Sequence, residues 1–269
     1  MRWYKYIPNV LTSGNLFLGC LALVYIFYDH ITVQVSGESY FFNGHLVWDK
    51  LYLGKMHLAA WMILLAALID FFDGAVARLL NATSELGRQL DSIADMITFG
   101  LVPGVMLYQL LGVSLFNSVA AFNLGIVLFL PAFIFTIAAA FRLGKFNIDE
   151  TQRDRYRGLP VPAAAISVAG LVLSVFRQEN YFSEWFTHPI VLYIFILLFS
   201  FLMISRLPVI KLSWNVKAYP GGRTALMFLV TAIVISVVCW WQWQIIFGLW
   251  PVIIMLYFII SSLTLKNAS

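Results

Sequence analysis

Four aspartates lie close together in a chain that is otherwise strongly apolar. They occur in the stretch DFFDGAVARLLNATSELGRQLDSIAD, residues 70–95, as Asp70, Asp73, Asp91 and Asp95. Burying a carboxylate in an apolar environment is costly unless the group is paired or coordinates a metal, and acids inside membrane segments usually have a functional role. The number and spacing of these acids therefore require a chemical explanation.

The spacing predicts that the four carboxylates converge. Each residue advances by about 100° around a helix, so Asp70 and Asp73 are about 60° apart on one face. Asp91 and Asp95 lie one turn apart on the next helix, with Gly87 one turn earlier on the same stripe. If NATSE forms a turn, the two pairs can meet. Oxygen ligands suit hard cations such as Mg²⁺, Mn²⁺ or Ca²⁺, and two such ions could clamp a phosphate.

The other residues of the stretch fit a substrate that contains phosphate. Gly74, Ala77 and Gly87 leave the inner face of the predicted hairpin without bulky side chains. Arg78 offers a planar fork of donors for phosphate oxygens. The alternative is a buried acidic cluster that is paired only with Arg78 and Arg88. Two arginines cannot neutralise four acids, so a site for cations and phosphate is favoured.

The rest of the chain predicts an all-α integral membrane protein. Of its 269 residues, 61% are hydrophobic and 11% are charged, whereas a soluble domain has about 25% charged residues. Apolar runs of about 20 residues are long enough to cross a bilayer as helices, which satisfy their own backbone groups. About eight transmembrane helices are predicted, near 8–28, 56–77, 92–111, 119–141, 160–176, 189–205, 224–241 and 245–264. We expect one membrane domain, 1–269, and no separate soluble domain.

The distribution of positive charge predicts the orientation of the chain in the membrane. Lys and Arg in short loops remain on the cytoplasmic side. With the N-terminus inside, all of the 17 Lys and Arg residues lie on the inner side except Lys50, Lys55 and Arg177. The aspartates and both termini are then cytoplasmic. The net charge of +4 fits this topology and attraction to anionic lipid better than nucleic-acid binding.

The aspartate stretch resembles the signature of the CDP-alcohol phosphotransferases at every fixed position. The matching pattern is Asp70-x2-Asp73-Gly74-x2-Ala77-Arg78-x8-Gly87-x3-Asp91-x3-Asp95. The resemblance implies a six-helix membrane core, over about 7–206, and two extra C-terminal helices over about 223–265. It also implies a homodimer, a CDP-linked donor and two divalent cations, Mg²⁺ or Mn²⁺, with Ca²⁺ also compatible.

The resemblance further implies a role for each residue of the signature. The metal ligands would be Asp70, Asp73, Asp91 and Asp95. Asp95 would also be the general base of the reaction. The residues that pack against the cytidine would be Gly74, Ala77 and Gly87, and Arg78 would stabilise the diphosphate.

Three further stretches resemble one branch of the family, the membrane-integral phosphatidylserine synthases. They are IPNVLTSGN at 7–15, FG with Pro103 soon after Asp95, and FRLGKFN at 141–147 followed by YRGLPVPAAA at 156–165. The branch commonly has RLARFN where this chain has RLGKFN, so Lys145 keeps the charge but loses the planar fork. The resemblance implies transfer of a phosphatidyl group from CDP-diacylglycerol to L-serine in a bacterial-type cytoplasmic membrane.

Polar residues outside the aspartate stretch are candidates for substrate contacts. Asn9 and Thr12 lie one turn apart before the predicted first helix, where they could bind a donor phosphate, although Thr12 could equally cap that helix. Asn147 could orient the acceptor or cap the fourth helix. The carboxylate of serine needs a cation, and the candidates are Arg142, Lys145 and Arg157. Ordinary anchoring at the inner membrane surface is the alternative role for these three.

Other functions remain open from the residues alone. The same chemistry could use glycerol 3-phosphate, an inositol phosphate or choline as acceptor, although phosphorylated acceptors need a more concentrated basic pocket. An ion-coupled transporter also places acids inside the membrane, but it is expected to carry them near the midplane, often in two repeated halves. A non-catalytic lipid-binding scaffold is a third reading. The acids lie at one end of a single hairpin, which favours the enzyme.

Overall fold

The described part of the chain is a bundle of helices with three short pairs of antiparallel strands. A computed structural model describes residues 7–28, 30–35, 38–43, 45–47, 50–52, 54–80, 85–116, 126–148, 156–175, 185–209 and 243–266. Its helices are α1 (Ile7–Ile26), α2 (Met56–Leu79), α3 (Glu85–Asp95), α4 (Val102–Phe116), α5 (Phe133–Ile148), α6 (Val161–Val175), α7 (Pro189–Ile204) and α8 (Trp243–Lys266). A π-helix, Met96–Leu101, joins α3 to α4. Two 3₁₀ turns, Ile126–Leu128 and Leu130–Ala132, precede α5.

Helices occupy the predicted membrane segments wherever the structure describes them. The longest apolar stretches are Pro8–Ile26, Met56–Gly74 and Glu85–Leu115, which are long enough to cross a membrane. Shorter apolar helices cover Val161–Val175, Pro189–Ile204 and Leu249–Ser262. The predicted segment 224–241 lies outside the described residues. A helical membrane core is therefore confirmed, while the number of eight spans stays a prediction.

The connections contain short strands that the all-α prediction did not include. Between α1 and α2, β1 (His30–Val35) pairs with β2 (Glu38–Asn43), and β3 (His45–Val47) pairs with β4 (Lys50–Tyr52). A third antiparallel pair joins β5 (Tyr156–Arg157) to β6 (Pro208–Val209). The sequence HITVQV of β1 alternates polar and β-branched residues, which is the usual pattern of a strand. The prediction of an all-α protein therefore holds for the membrane core but not for these connections.

Two helix boundaries differ from the predictions. Helix α1 begins at Ile7, so Asn9 and Thr12 lie within it and not before it. Pro8 is tolerated in the first turn because its missing N–H would have no partner there. The fourth predicted segment, 119–141, corresponds to α5, which continues to Ile148 and includes the charged sequence FRLGKFN.

The helix α6 forms the centre of the bundle. Most of its residues are buried on every side, and many of them are Ala, Gly or Ser. Small residues allow neighbouring helices to approach closely in a membrane. Helices α2, α4 and α8 pack against α6, and α1 packs along α2. This arrangement holds the C-terminal half of α2 next to α1, which also packs against α3.

The π-helix packs very closely against α1 on one side and against α5 on the other. A Cβ atom added to Gly19 of α1 would lie 3.1 Å from the Cα of Thr98. On the other side, a Cβ atom added to Gly100 would lie 3.3 Å from the Cβ of Ala139 on α5. The Thr136 hydroxyl of α5 donates to the Gly100 carbonyl at 3.1 Å. The segment that follows Asp95 is thus held firmly from two sides.

Gly158→Ala is expected to destabilise the protein. Gly158 has a φ of 75°, and an added Cβ would lie 2.6 Å from the Met203 carbonyl oxygen. Backbone strain of this kind costs on the order of 1–3 kcal/mol, and the steric contact adds to it. Thermal unfolding of the purified protein in detergent should therefore show a lower midpoint.

A matched control is Gly144→Ala on α5. No atom lies within 4 Å of a Cβ at Gly144, and alanine favours a helix more than glycine does. This variant should unfold at the wild-type temperature or above it. Equal midpoints for both variants would contradict the conformation assigned to Gly158.

Candidate active site

Three of the four predicted carboxylates come together at the α2–α3 hairpin. Asp70 projects from α2, and Asp91 and Asp95 project from α3. Each side chain offers one carboxylate oxygen, and these oxygens all lie within 4.8 Å of one another. All three residues are partly buried. The helical spacing therefore predicted this cluster correctly.

Asp73 lies outside that group of three and contacts α1. It is buried, and its Oδ2 atom accepts a hydrogen bond of 3.2 Å from the Thr12 hydroxyl. The same hydroxyl lies 3.0 Å from the Pro8 carbonyl, and its single proton serves one acceptor at a time. Thr12 is in the second turn of α1, so its predicted alternative role as a helix cap does not hold. Its position ties α1 to the acidic end of α2.

Asn15 is a polar residue of the site that the sequence patterns did not single out. It is fully buried on α1, and its Nδ2 atom donates to Asp95 Oδ1 at 3.4 Å. Its backbone carbonyl accepts from the Thr98 hydroxyl at 3.2 Å. Within the described residues its Oδ1 atom has no partner, and a buried unpaired acceptor costs about 1–3 kcal/mol. The available signal was its spacing of three residues from Thr12 in the stretch 7–15, which puts both on one face.

The end of α5 reaches the aspartate helix. Asn147 donates from Nδ2 to the Ser92 hydroxyl at 2.8 Å, and Ser92 is the residue after Asp91. Asn147 therefore bridges two helices, so the alternative role of a simple helix cap does not describe it. The residues that were predicted to bind the acceptor lie on the same helix, α5, except Arg157.

The candidate cations for the acceptor differ in exposure. Arg142 is buried, and its guanidinium carbon lies 5.4 Å from the centre of the Phe146 ring, within the range of a cation–π contact. A residue that only anchors the chain at the membrane surface would be exposed, as Lys145 is. Arg157 forms part of β5, and its side chain lies outside the described part of the chain.

The residues predicted to bind the nucleotide are only partly described. A Cβ added to Gly74 would have no atom within 4 Å, so there is open space beside α2 at that point. Gly87 lies on α3 and Asn9 on α1, both partly exposed. Ala77 and Arg78 belong to α2, but their side chains lie outside the described residues.

The cluster of Asp70, Asp91 and Asp95 has the donor set of a divalent-cation site. Ligand oxygens lie about 2.0–2.6 Å from Mg²⁺ or Ca²⁺, so two oxygens of one shell are at most about 5 Å apart. The observed limit of 4.8 Å fits this requirement. Without a cation, two carboxylates at that distance repel by about 3 kcal/mol at an effective dielectric constant near 20.

Arg88 does not serve as the neutralising charge that the alternative prediction required. Its guanidinium pairs with Glu85 at 2.8 Å, and both side chains are exposed, 66% and 72% respectively. This surface pair faces solvent on the first turns of α3. Within the described residues, Arg88 therefore does not neutralise the three carboxylates of the cluster, which have the chemistry to bind a cation.

Known proteins are similar to this chain over most of its length. Residues 5–182 match the family model of CDP-alcohol phosphatidyltransferase. A CDP-diacylglycerol–serine O-phosphatidyltransferase of Helicobacter pylori (strain ATCC 700392 / 26695) is 33% identical over 218 residues, covering 79% of this chain and 76% of that protein. The protein of the same name from Bacillus subtilis (strain 168) is 32% identical over 203 residues, covering 76% and 89%. The one from Saccharomyces cerevisiae is 28% identical over 193 residues, covering 62% and 64%.

Proposed function

The chain belongs to the CDP-alcohol phosphatidyltransferase family, and we propose that it transfers the phosphatidyl group of CDP-diacylglycerol to L-serine. The products are phosphatidylserine and CMP. The main structural support is the cluster of Asp70, Asp91 and Asp95 on two helices of a membrane protein. The choice of serine is supported by the names of the relatives, which match over three quarters of the chain.

The reaction is a substitution at the β-phosphorus of the donor. The serine hydroxyl oxygen forms a bond to this phosphorus, the bond to the bridging oxygen breaks, and CMP leaves. We assign to Asp95 the removal of the hydroxyl proton, which requires its carboxylate to lie within hydrogen-bond reach of the acceptor. Divalent cations held by the aspartates, two in our proposal, would neutralise phosphate charge and stabilise the leaving CMP. Asp70, Asp73 and Asp91 would be the other ligands.

The donor would lie along the α2–α3 hairpin. The open space beside Gly74 is suitable for a flat base lying against the helix backbone, with Ala77 and Gly87 on the same surface. Asn9, Thr12 and Arg78 are our candidates for the phosphate oxygens. Such a site suits an amphiphilic donor, because the nucleotide stays in water while the acyl chains remain in lipid.

Serine would bind between this hairpin and α5. Arg142 is a buried cation on α5, and it is our first candidate to bind the serine carboxylate. Asn147 connects the same helix to Ser92, one residue from the cluster. Lys145 and Arg157 are further candidates for this carboxylate. We also propose that the active site faces the cytoplasm, as the distribution of Lys and Arg predicts. The resemblance to the family supports a further proposal, that the protein is a homodimer.

The test is an assay of purified protein with labelled CDP-diacylglycerol, Mn²⁺ or Mg²⁺, and one acceptor at a time. We expect CMP release that depends on serine, with phosphatidylserine as the lipid product. Glycerol 3-phosphate, an inositol phosphate and choline should give little product. Turnover with one of these acceptors but not with serine would contradict the assignment of serine as the acceptor. Detergent permits no gradient, so CMP release in this assay reports catalysis and not transport. The absence of CMP with every acceptor would contradict the enzyme and favour a transporter or a scaffold.

A further inference from the structure

We propose that Asn15 is a positioning residue for the proposed reaction, and that its side-chain amide holds the Asp95 carboxylate in the orientation that accepts the proton. This inference rests on the proposed function. It concerns a residue on α1, whereas the acids lie on α2 and α3. Asn15 is not assigned contact with substrate; it acts through Asp95.

The geometry restrains one oxygen of Asp95 and leaves the other for chemistry. The Asn15 Nδ2 atom donates to Asp95 Oδ1 at 3.4 Å, so Oδ2 is the oxygen left to take a proton. The amide itself has little freedom, because Asn15 is fully buried. Its backbone is held as well, because the Thr98 hydroxyl donates to the Asn15 carbonyl at 3.2 Å. Asn15 therefore donates to Asp95 from a rigid part of α1.

Packing alone does not explain an amide at this position. Its Oδ1 atom has no partner within the described residues, although it is shielded from solvent. A smaller apolar residue, or leucine with its similar branched outline, would leave no unpaired acceptor at this position. An asparagine is useful here because its N–H group can donate to a carboxylate. The cost of the unpaired oxygen is offset only if that donation has a function.

The position of Asp95 in its helix makes an external restraint useful. Asp95 is the last residue of α3, and the π-helix begins at Met96. A π-turn takes in one more residue than an α-turn, so the helix changes rotational register directly after the proposed base. A side chain at such a junction is oriented by the elements packed beside it, and here that element is α1 at Asn15 and Gly19.

The central variant is Asn15→Leu, which keeps the branched outline of the side chain and removes the donor. Misplacing a reacting group by about 1 Å lowers the rate by about 100-fold, so kcat should fall by roughly 30- to 100-fold. The KM values for serine and CDP-diacylglycerol should stay within about twofold, because neither substrate contacts this residue. The measurements are made at saturating Mn²⁺, and Mn²⁺ binding is followed separately by electron paramagnetic resonance.

A control separates positioning from folding. Ser13→Ala removes only a 2.8 Å hydrogen bond to the Asn9 carbonyl on the exposed side of α1. This variant should keep kcat within about twofold of the wild type. If Asn15→Leu does not fold, Asn15→Ser replaces it, because serine is too short to reach Asp95.

The possible results are distinct. A loss of kcat in Asn15→Leu alone, with Mn²⁺ bound and KM values unchanged, supports the proposal. It is overturned by a kcat within threefold of the wild type, by recovery of kcat at higher Mn²⁺, by a rise in KM with kcat unchanged, or by an equal loss in Ser13→Ala. Wild-type protein that releases no CMP would instead refute the proposed function, so the two failures are distinguishable.

Discussion

Asp95→Asn should lower the rate of CMP release by roughly 10²- to 10⁴-fold, which is the usual contribution of a general base. Asparagine has nearly the same shape as aspartate but does not take up the hydroxyl proton. It also removes one of the three charges that lie within 4.8 Å of one another, so it should not unfold the protein. The assay is serine-dependent CMP release by purified protein, with thermal unfolding measured on the same sample.

The matched control is Glu85→Gln, which neutralises an acid on the same helix. Glu85 is exposed and pairs with Arg88 three residues later, far along α3 from Asp95. Exposed pairs of this kind contribute about 0–1 kcal/mol, so activity and stability should remain near wild-type values. Near-normal turnover by Asp95→Asn would show that another group removes the proton.

Removal of divalent cations should abolish turnover. In the proposed mechanism, cations at the cluster would supply several kcal/mol of charge stabilisation to the reacting phosphates, so complete chelation should lower the rate on the order of 1,000-fold or more. Activity should return when Mg²⁺ or Mn²⁺ is added in excess of the chelator. Full activity after exhaustive chelation would refute the metal site.

A binding measurement separates the metal site from other effects of chelation. Mn²⁺ bound to the purified protein can be counted by electron paramagnetic resonance without any substrate. Asp91→Asn removes an oxygen ligand from the cluster and should weaken Mn²⁺ binding strongly. Glu85→Gln serves again as the control and should bind Mn²⁺ as the wild type does. Equal Mn²⁺ affinity in both variants would exclude Asp91 as a ligand.

The predictions that succeeded depend on periodicity along one or two helices. Long apolar runs must form helices in a membrane because no other segment satisfies its backbone there, and the helices were located accordingly. The meeting of Asp70 with Asp91 and Asp95 followed from a spacing of three to four residues and a polar turn between the helices. Such features are local, so the amino-acid pattern contains them.

The features that were missed depend on contacts between distant segments. Asn15 is 80 positions away from Asp95, and nothing in its own neighbourhood shows that the two meet. The burial of Arg142 results from the packing of other helices around it, whereas its sequence context resembles an ordinary charged helix end. The π-helix has no compositional pattern of its own. It is identified by its hydrogen bonding, because the Val102 N–H donates to the Ile97 carbonyl five residues earlier.

Because of the π-helix, the orientation of Asp91 and Asp95 depends on the number of residues between α3 and α4. A regular α-helix between Asp95 and Val102 would complete its turns with fewer residues. The extra residue in Met96–Leu101 therefore sets the angle between α3 and α4. Deleting a single residue there would remove the extra residue and let the segment return to α-helical turns, which would change its close contacts with α1 and α5. Small side-chain substitutions leave that angle intact. The site therefore depends on the number of residues in Met96–Leu101 as well as on their identity. Insertions and deletions in this segment should be far rarer among functional variants than substitutions.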